Sequence, residues 1–235
     1  CAHGIVKRYF RLSVPILALS LIAFVLHWGG YMPNGEAAAS SGSDWLLKWY
    51  RFAPDLALAV CEPLYSAYFR FDAAYSYNAN LWTISYELFA VFAVITLAWL
   101  CGRLQLVVQV IGLVAVAFLS LGTHYFEFFL GALLALGLKL RPVDLSLPVA
   151  VVGAVLAMTA ARSFQGLLSG ETVVNIVYPI AGVTLIAILE TCAAMRGWLS
   201  SAKLMWLGRL SFGVYLVHFV VLSSFASASW LMTAS

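Results

Sequence analysis

NANLWTISYELFAVFAVITLAWLC, residues 78–101, decides the class of the fold. From Asn80 to Cys101 it holds one formal charge, Glu87, in 22 residues. A helix rises 1.5 Å per residue, so about 20 apolar residues cross a hydrocarbon core about 30 Å thick. A surface helix of a soluble domain needs a polar face, and this run has none. The sequence predicts an all-α fold, a polytopic integral membrane helical bundle.

The rest of the chain repeats the pattern. Of its 235 residues, 63% are hydrophobic and 10% are charged, with a mean hydropathy of +0.96. A soluble domain carries about 25% charged residues. Apolar runs predict about seven spans, near 10–31, 80–101, 104–122, 124–140, 147–163, 173–194 and 207–231, of which 124–140 and 147–163 are short. Residues 32–79 form an extracytoplasmic loop. Within it, NGEAAASSGS (34–43) reads as a flexible polar loop. Residues 45–72 mix aromatics with charges and are interrupted by Pro54 and Pro63, as suits an interfacial or re-entrant segment. No internal repeat divides the chain, which reads as a single domain over 1–235.

The net charge of +3 is scattered, which argues against a nucleic-acid partner. The cysteines, Cys1, Cys61, Cys101 and Cys192, form no C-x-x-C pair and no cluster with histidine, so no metal site is expected. Basic residues set the orientation. With the N-terminal end in the cytoplasm, Lys7, Arg8, Arg11, Arg103, Lys139, Arg141, Arg196, Lys203 and Arg209 lie inside, nine of the 13. Lys48, Arg51, Arg70 and Arg162 lie outside, as do Glu36, Asp44, Asp55, Glu62, Asp72 and Glu171.

Ionisable groups inside spans need a reason to be there. Glu87 lies about a turn and a half into its span from the outer side and shares a face with Thr83, so it is either functional or a structural hydrogen-bonding group. Trp82 shares the other face with Ser85 and Tyr86 and suits an aromatic-belt anchor. Arg8 and Arg11, with Lys7 beside them, put two guanidinium forks on one helical face. That is either membrane anchoring or a phosphate site. His124 and Glu127, three apart, are either an acid–base pair or a contact at a helix end. His218, three residues after Tyr215, reads as a hydrogen-bonded core histidine, and His27 as interfacial. Pro179 predicts a kink by freeing the carbonyl of Asn175.

Three stretches occur together in one known family. KRYFRLSVP (7–15) resembles a basic R-x-x-R segment leading into a Pro-bearing span. NANLWTISYELF (78–89) resembles an N-x-x-L-W-[ST]-x-x-x-E element, and LGRLSFGVYLVHFVVL (207–222) a Ser-[FY]-x-x-Tyr-Leu-x-His element. FEFFLGALLAL (126–136) is a weaker match to a Gly-containing span. In order and spacing these resemble the membrane acyltransferase-3 family, whose members O-acylate sugars and other polymers of cell envelopes.

The resemblance implies transfer of an acyl group, acetyl above all, from acyl-CoA to a hydroxyl of a carbohydrate or other envelope acceptor. No permanently bound cofactor is implied; acyl-CoA is a substrate. The expected setting is a multi-pass protein among the lipids of the bacterial cytoplasmic membrane, with the R-x-x-R end in the cytoplasm. Arg8 and Arg11 would hold the CoA phosphates. Glu87, Trp82 and His218 carry over as the catalytic positions, with Glu87 facing the acceptor side, and Tyr215, His124 and Glu127 support them. The family's upstream histidine and the Ser-Gly-Phe element after it have no match, since His3 precedes the R-x-x-R outside any span. With its start at Cys1 the chain reads as the downstream part of such a domain, inactive if taken alone. Two other classes stay open: a transporter or flippase of an envelope precursor, and a non-catalytic membrane module.

Overall fold

The computed structural model describes residues 2–102, 104–140 and 143–234, with side chains placed for 6–102, 104–140 and 143–233. Cys1, Arg103 and Arg141, which entered the readings above, lie outside the described residues, as does the side chain of His3. Ten helices account for most of the described chain: α1 Ala2–Trp28, α2 Asn34–Ser41, α3 Leu56–Phe69, α4 Ala79–Cys101, α5 Leu106–Leu119, α6 Phe126–Leu140, α7 Leu147–Gly166, α8 Gly170–Thr191, α9 Ala193–Leu199 and α10 Ala202–Thr233. No strand occurs among the described residues. The protein is an all-α, multi-pass membrane bundle.

Five helices, α1 (from Val6), α4, α7, α8 and α10, are long and apolar enough to cross a membrane. The runs at 104–122 and 124–140 fall short. The turn at 120–125 ends α5 at 14 residues and leaves 15 for α6. Gly122 there takes a φ of +79°, and the Thr123 hydroxyl bonds the carbonyl of Ser120. Fourteen residues give about 21 Å of helix. The run at 147–163 is longer than expected, because the helix continues to Gly166.

Residues 34–41 are helical instead of a loose loop. The helix closes at Gly42 in the left-handed conformation (φ 70°), whose N–H reaches the Ala38 carbonyl. Asn34, Ala37 and Ala38 are buried, and the Trp230 indole donates to Ser40 Oγ at 3.0 Å. In the segment 45–72, Asp55 starts α3 by accepting from the N–H groups of Ala57 and Leu58, directly after Pro54. Pro63 is absorbed by a π-helical turn over Glu62–Ser66, so the helix runs on. A similar turn over Val173–Val177 stands in front of Pro179 and takes up the expected kink.

The chain divides into two compact units. The first combines residues 1–88 with 207–235. Leu12, Ile16, Leu19 and Ala23 recur at helical spacing along α1 and are buried with Ile84 and Leu88 of α4 and Leu216, Phe219 and Val220 of α10. Another face of α1 is polar and meets α3. Tyr9 donates to the Leu64 carbonyl (2.6 Å), Ser13 bonds the Tyr68 hydroxyl (2.7 Å), and Ser20 donates to Glu62 (2.9 Å). His27, near the end of α1, is wedged against Tyr50 and Phe52 (ring centroids 5.3 and 5.2 Å), and its neighbour Trp28 is exposed. The second unit, 89–206, buries Ala117, Phe126 and Phe129 against α4 and α6 side chains, and α7 and α8 pack closely where a Cβ on Gly153 would meet Ile188 at 3.2 Å.

Candidate functional site

Arg8 and Arg11 lie in the second and third turns of α1, and Glu87 lies on α4. All three line one cavity of about 550 Å³ in the first unit, together with Lys7, Leu12 and Phe212. Arg8 Nη2 donates to Glu87 Oε1 in an ion pair. Three cations thus face one carboxylate. Arg8 is held by that carboxylate, and Arg11 and Lys7 make no ion pair among the described residues. A fork and an ammonium around a half-open cavity are suited to phosphate oxygens.

The sequence placed Arg8 at one membrane face and Glu87 in the opposite half, and the structure corrects this. In the sequence, depth is measured from the end of each apolar run. Yet the segment before α4 is tucked in: Tyr77 is fully buried, its ring 6.2 Å from those of Phe24 and His27. Glu87 is ten residues beyond Tyr77, of which the eight steps from Ala79 are helical and rise about 12 Å, and Arg8 is sixteen residues before Phe24, about 24 Å. The remaining difference is within reach of the two side chains.

Trp82, Tyr215 and His218 do not line this cavity. Trp82 is 42% exposed and packs edge-on to Tyr86 (5.9 Å), the neighbour its face predicted. His218 is exposed instead of being a core residue, because the face of α10 that enters the core is that of Leu216, Phe219 and Val220. Its ring is nevertheless held. Asn80 Nδ2 lies 2.9 Å from His218 Nε2, and His218 Nδ1 lies 3.2 Å from the Val214 carbonyl. An amide nitrogen only donates, so Nε2 accepts and the proton sits on Nδ1. The Tyr215 hydroxyl donates to the Asn80 carbonyl and lies 2.8 Å from Thr83 Oγ1. Asn78 Nδ2 donates to the Leu216 carbonyl at 2.8 Å. The segment 78–83 therefore clasps α10 at three points.

Asn80 is the residue sequence reasoning missed here, although it stood inside the quoted motif. Glu62 is the other. Its Oε2 accepts from Ser20, and its Oε1 from Ser76 Oγ and from the Tyr77 N–H (3.1 Å). Ser76 Oγ in turn accepts from the Asn78 N–H at 3.0 Å. Glu62 thereby anchors the segment that carries Asn78 and Asn80 to α1. Burial pushes its carboxyl up to about 7, against the pull of these hydrogen bonds. The signal available in the sequence was a carboxylate in the apolar run LALAVCEPLY (56–65).

His124 and Glu127 belong to the second unit. Glu127 sits in the first turn of α6, where a negative charge meets the positive end of the helix dipole. Among the described residues no group of His, Cys, Asp and Glu gathers to hold a metal ion.

The model of the acyltransferase-3 family, described as an acyltransferase domain, matches residues 2–232. No curated protein and no solved structure matches the chain. The match takes in both arginines, Glu87 and the α10 clasp, and nearly the whole chain; this protein belongs to the acyltransferase-3 family of membrane acyltransferases.

Proposed function

We propose that the protein transfers an acetyl group from acetyl-CoA to a hydroxyl of a carbohydrate or related envelope acceptor. The observation that carries the reading is the cavity in which Lys7, Arg8 and Arg11 surround Glu87. Arg11 and Lys7 hold the CoA phosphates. Glu87 acts twice over. One oxygen fixes the Arg8 fork, and the other orients the group that takes the proton from the acceptor hydroxyl. The hydroxyl oxygen attacks the thioester carbonyl; the new C–O bond forms, the C–S bond breaks, and the CoA sulfur leaves with the proton. The R-x-x-R end faces the cytoplasm, where acyl-CoA is found, in a bacterial cytoplasmic membrane.

The test uses inverted membrane vesicles from cells that express the protein together with whatever coding sequence precedes Cys1. Radiolabelled acetyl-CoA is added, and alkali-labile label on envelope carbohydrate is counted. The parent is expected to label its acceptor, and Glu87→Gln to leave it unlabelled at equal protein level. Acceptor that crosses the membrane in vesicles without any acyl-CoA dependence would overturn the reading in favour of a transporter.

A further inference from the structure

The second unit holds a cavity of about 330 Å³ that has no part in the site above. Its walls come from three helices at helical spacing. Val94, Leu97, Ala98 and Cys101 recur along α4, Ala132, Ala135, Leu136 and Lys139 along α6, and Gln109 and Leu113 along α5. Each of the two longer faces covers eight residues, about 10 Å of wall.

Polarity is confined to one end. Cys101 is the last residue of α4, Gln109 the fourth of α5 and Lys139 the penultimate residue of α6. The Gln109 amide is already bonded to the Leu104 carbonyl (2.9 Å). Lys139 is exposed and has no ion pair among the described residues. In sequence, Arg103 follows the cavity residue Gly102, and Arg141 follows Lys139 by two. The nearest acid on α6 is Glu127, twelve residues and about 18 Å away at the opposite end of that helix.

An apolar cavity of this size is not filled by water. In a membrane protein the apolar material at hand is an acyl chain, and a basic pocket between helices at a bilayer face takes an anionic head group. We infer that the α4–α5–α6 cavity is a site for an acidic phospholipid, with one acyl chain against Leu97, Leu113 and Leu136 and its phosphate on Lys139. The two short helices fit this occupant. Neither α5 nor α6 covers a full hydrocarbon thickness, and a lodged chain fills the apolar space beside them.

The experiment reconstitutes the purified protein in nanodiscs of phosphatidylcholine containing a minor share of phosphatidylglycerol. Native mass spectrometry then reads the lipids that stay on the protein. The parent is expected to carry phosphatidylglycerol well above its bulk share. Lys139→Gln, a change at an exposed position, should lower that enrichment about fivefold while a lipid stays bound. Ala135→Trp, which fills the cavity, should remove the bound lipid whatever its head group, and added inorganic phosphate should displace nothing. Enrichment unchanged in Lys139→Gln would overturn the inference. So would phosphatidylglycerol retained by Ala135→Trp, or lost to millimolar phosphate, because the cavity would then not hold the chain.

Discussion

Arg8 and Glu87, 79 positions apart in the chain, are joined in an ion pair that ties the start of α1 to α4. Both side chains keep contact with the cavity, 43% and 30% exposed. A pair so accessible contributes about 0–1 kcal/mol to stability. What it provides is direction: a guanidinium plane fixed by a carboxylate, next to two further cations of the cavity wall, Lys7 and Arg11.

Glu87→Gln is therefore expected to separate activity from stability. Acyl transfer should fall about 10²–10⁴-fold, while thermal stability in detergent changes by less than about 1 kcal/mol. Parallel loss of both, read by transfer assay and melting curve on the same preparation, would make the pair structural.

Replacing Lys7 and Arg11 together by alanine should raise KM for acetyl-CoA about tenfold or more and leave the acceptor dependence unchanged, because charge-assisted phosphate bonds contribute about 1.5–3 kcal/mol each. Initial rates at varied donor and acceptor decide it. An equal rise in both KM values would exclude a donor-specific role.

Asn80 and His218 should show direct coupling. In a double-mutant cycle of Asn80→Ala and His218→Ala, the interaction energy from melting in detergent is expected near 1 kcal/mol. A value of zero would mean that the 2.9 Å contact contributes nothing.

Glu62 gives the protein a pH-dependent stability of known sign. Its folded carboxyl titrates near 7 and its ordinary value is 4.5, so the folded state binds the extra proton between those limits. Stability from this group is fully present below 4.5 and is lost as pH rises through 7, by up to ~3 kcal/mol. Melting temperature measured from pH 4.5 to 8 should fall across that range in the parent and lie flatter in Glu62→Gln. A parent curve that rises over the same interval would contradict this.

The long apolar helices were legible because hydropathy alone marks them: the runs at 80–101 and 207–231 lie within helices long enough to cross, and the run at 173–194 overlaps one that ends at Thr191. Composition marked a break between the runs at 104–122 and 124–140 but not how many residues the turn takes, and the turn with its positive-φ Gly122 leaves helices of 14 and 15 residues. The Ala and Ser residues of α2 read as linker because the helix packs on a distant segment, with Ser40 bonded to Trp230, 190 residues away. In the site, the R-x-x-R and Glu87 were visible as motif positions, but their pairing was not. The reason is that the depth of α4 is set by Tyr77 packing on Phe24 and His27. Asn80 and Glu62 escaped for the same cause. Their partners, His218 and Ser20, are 138 and 42 residues away, and neither distance is written in any periodicity.

The clasp on α10 has one more consequence. Apolar residues are spread around all sides of that helix, so its hydropathy alone gives it no preferred azimuth, and packing and polar contacts must set it. Asn78 and Asn80 act on it as a key acts on a shaft. By gripping the Leu216 carbonyl, the Tyr215 hydroxyl and the His218 ring, they hold the angular setting that turns Leu216, Phe219 and Val220 inward. Phe212, one turn back toward the cationic cavity, is aimed by that setting.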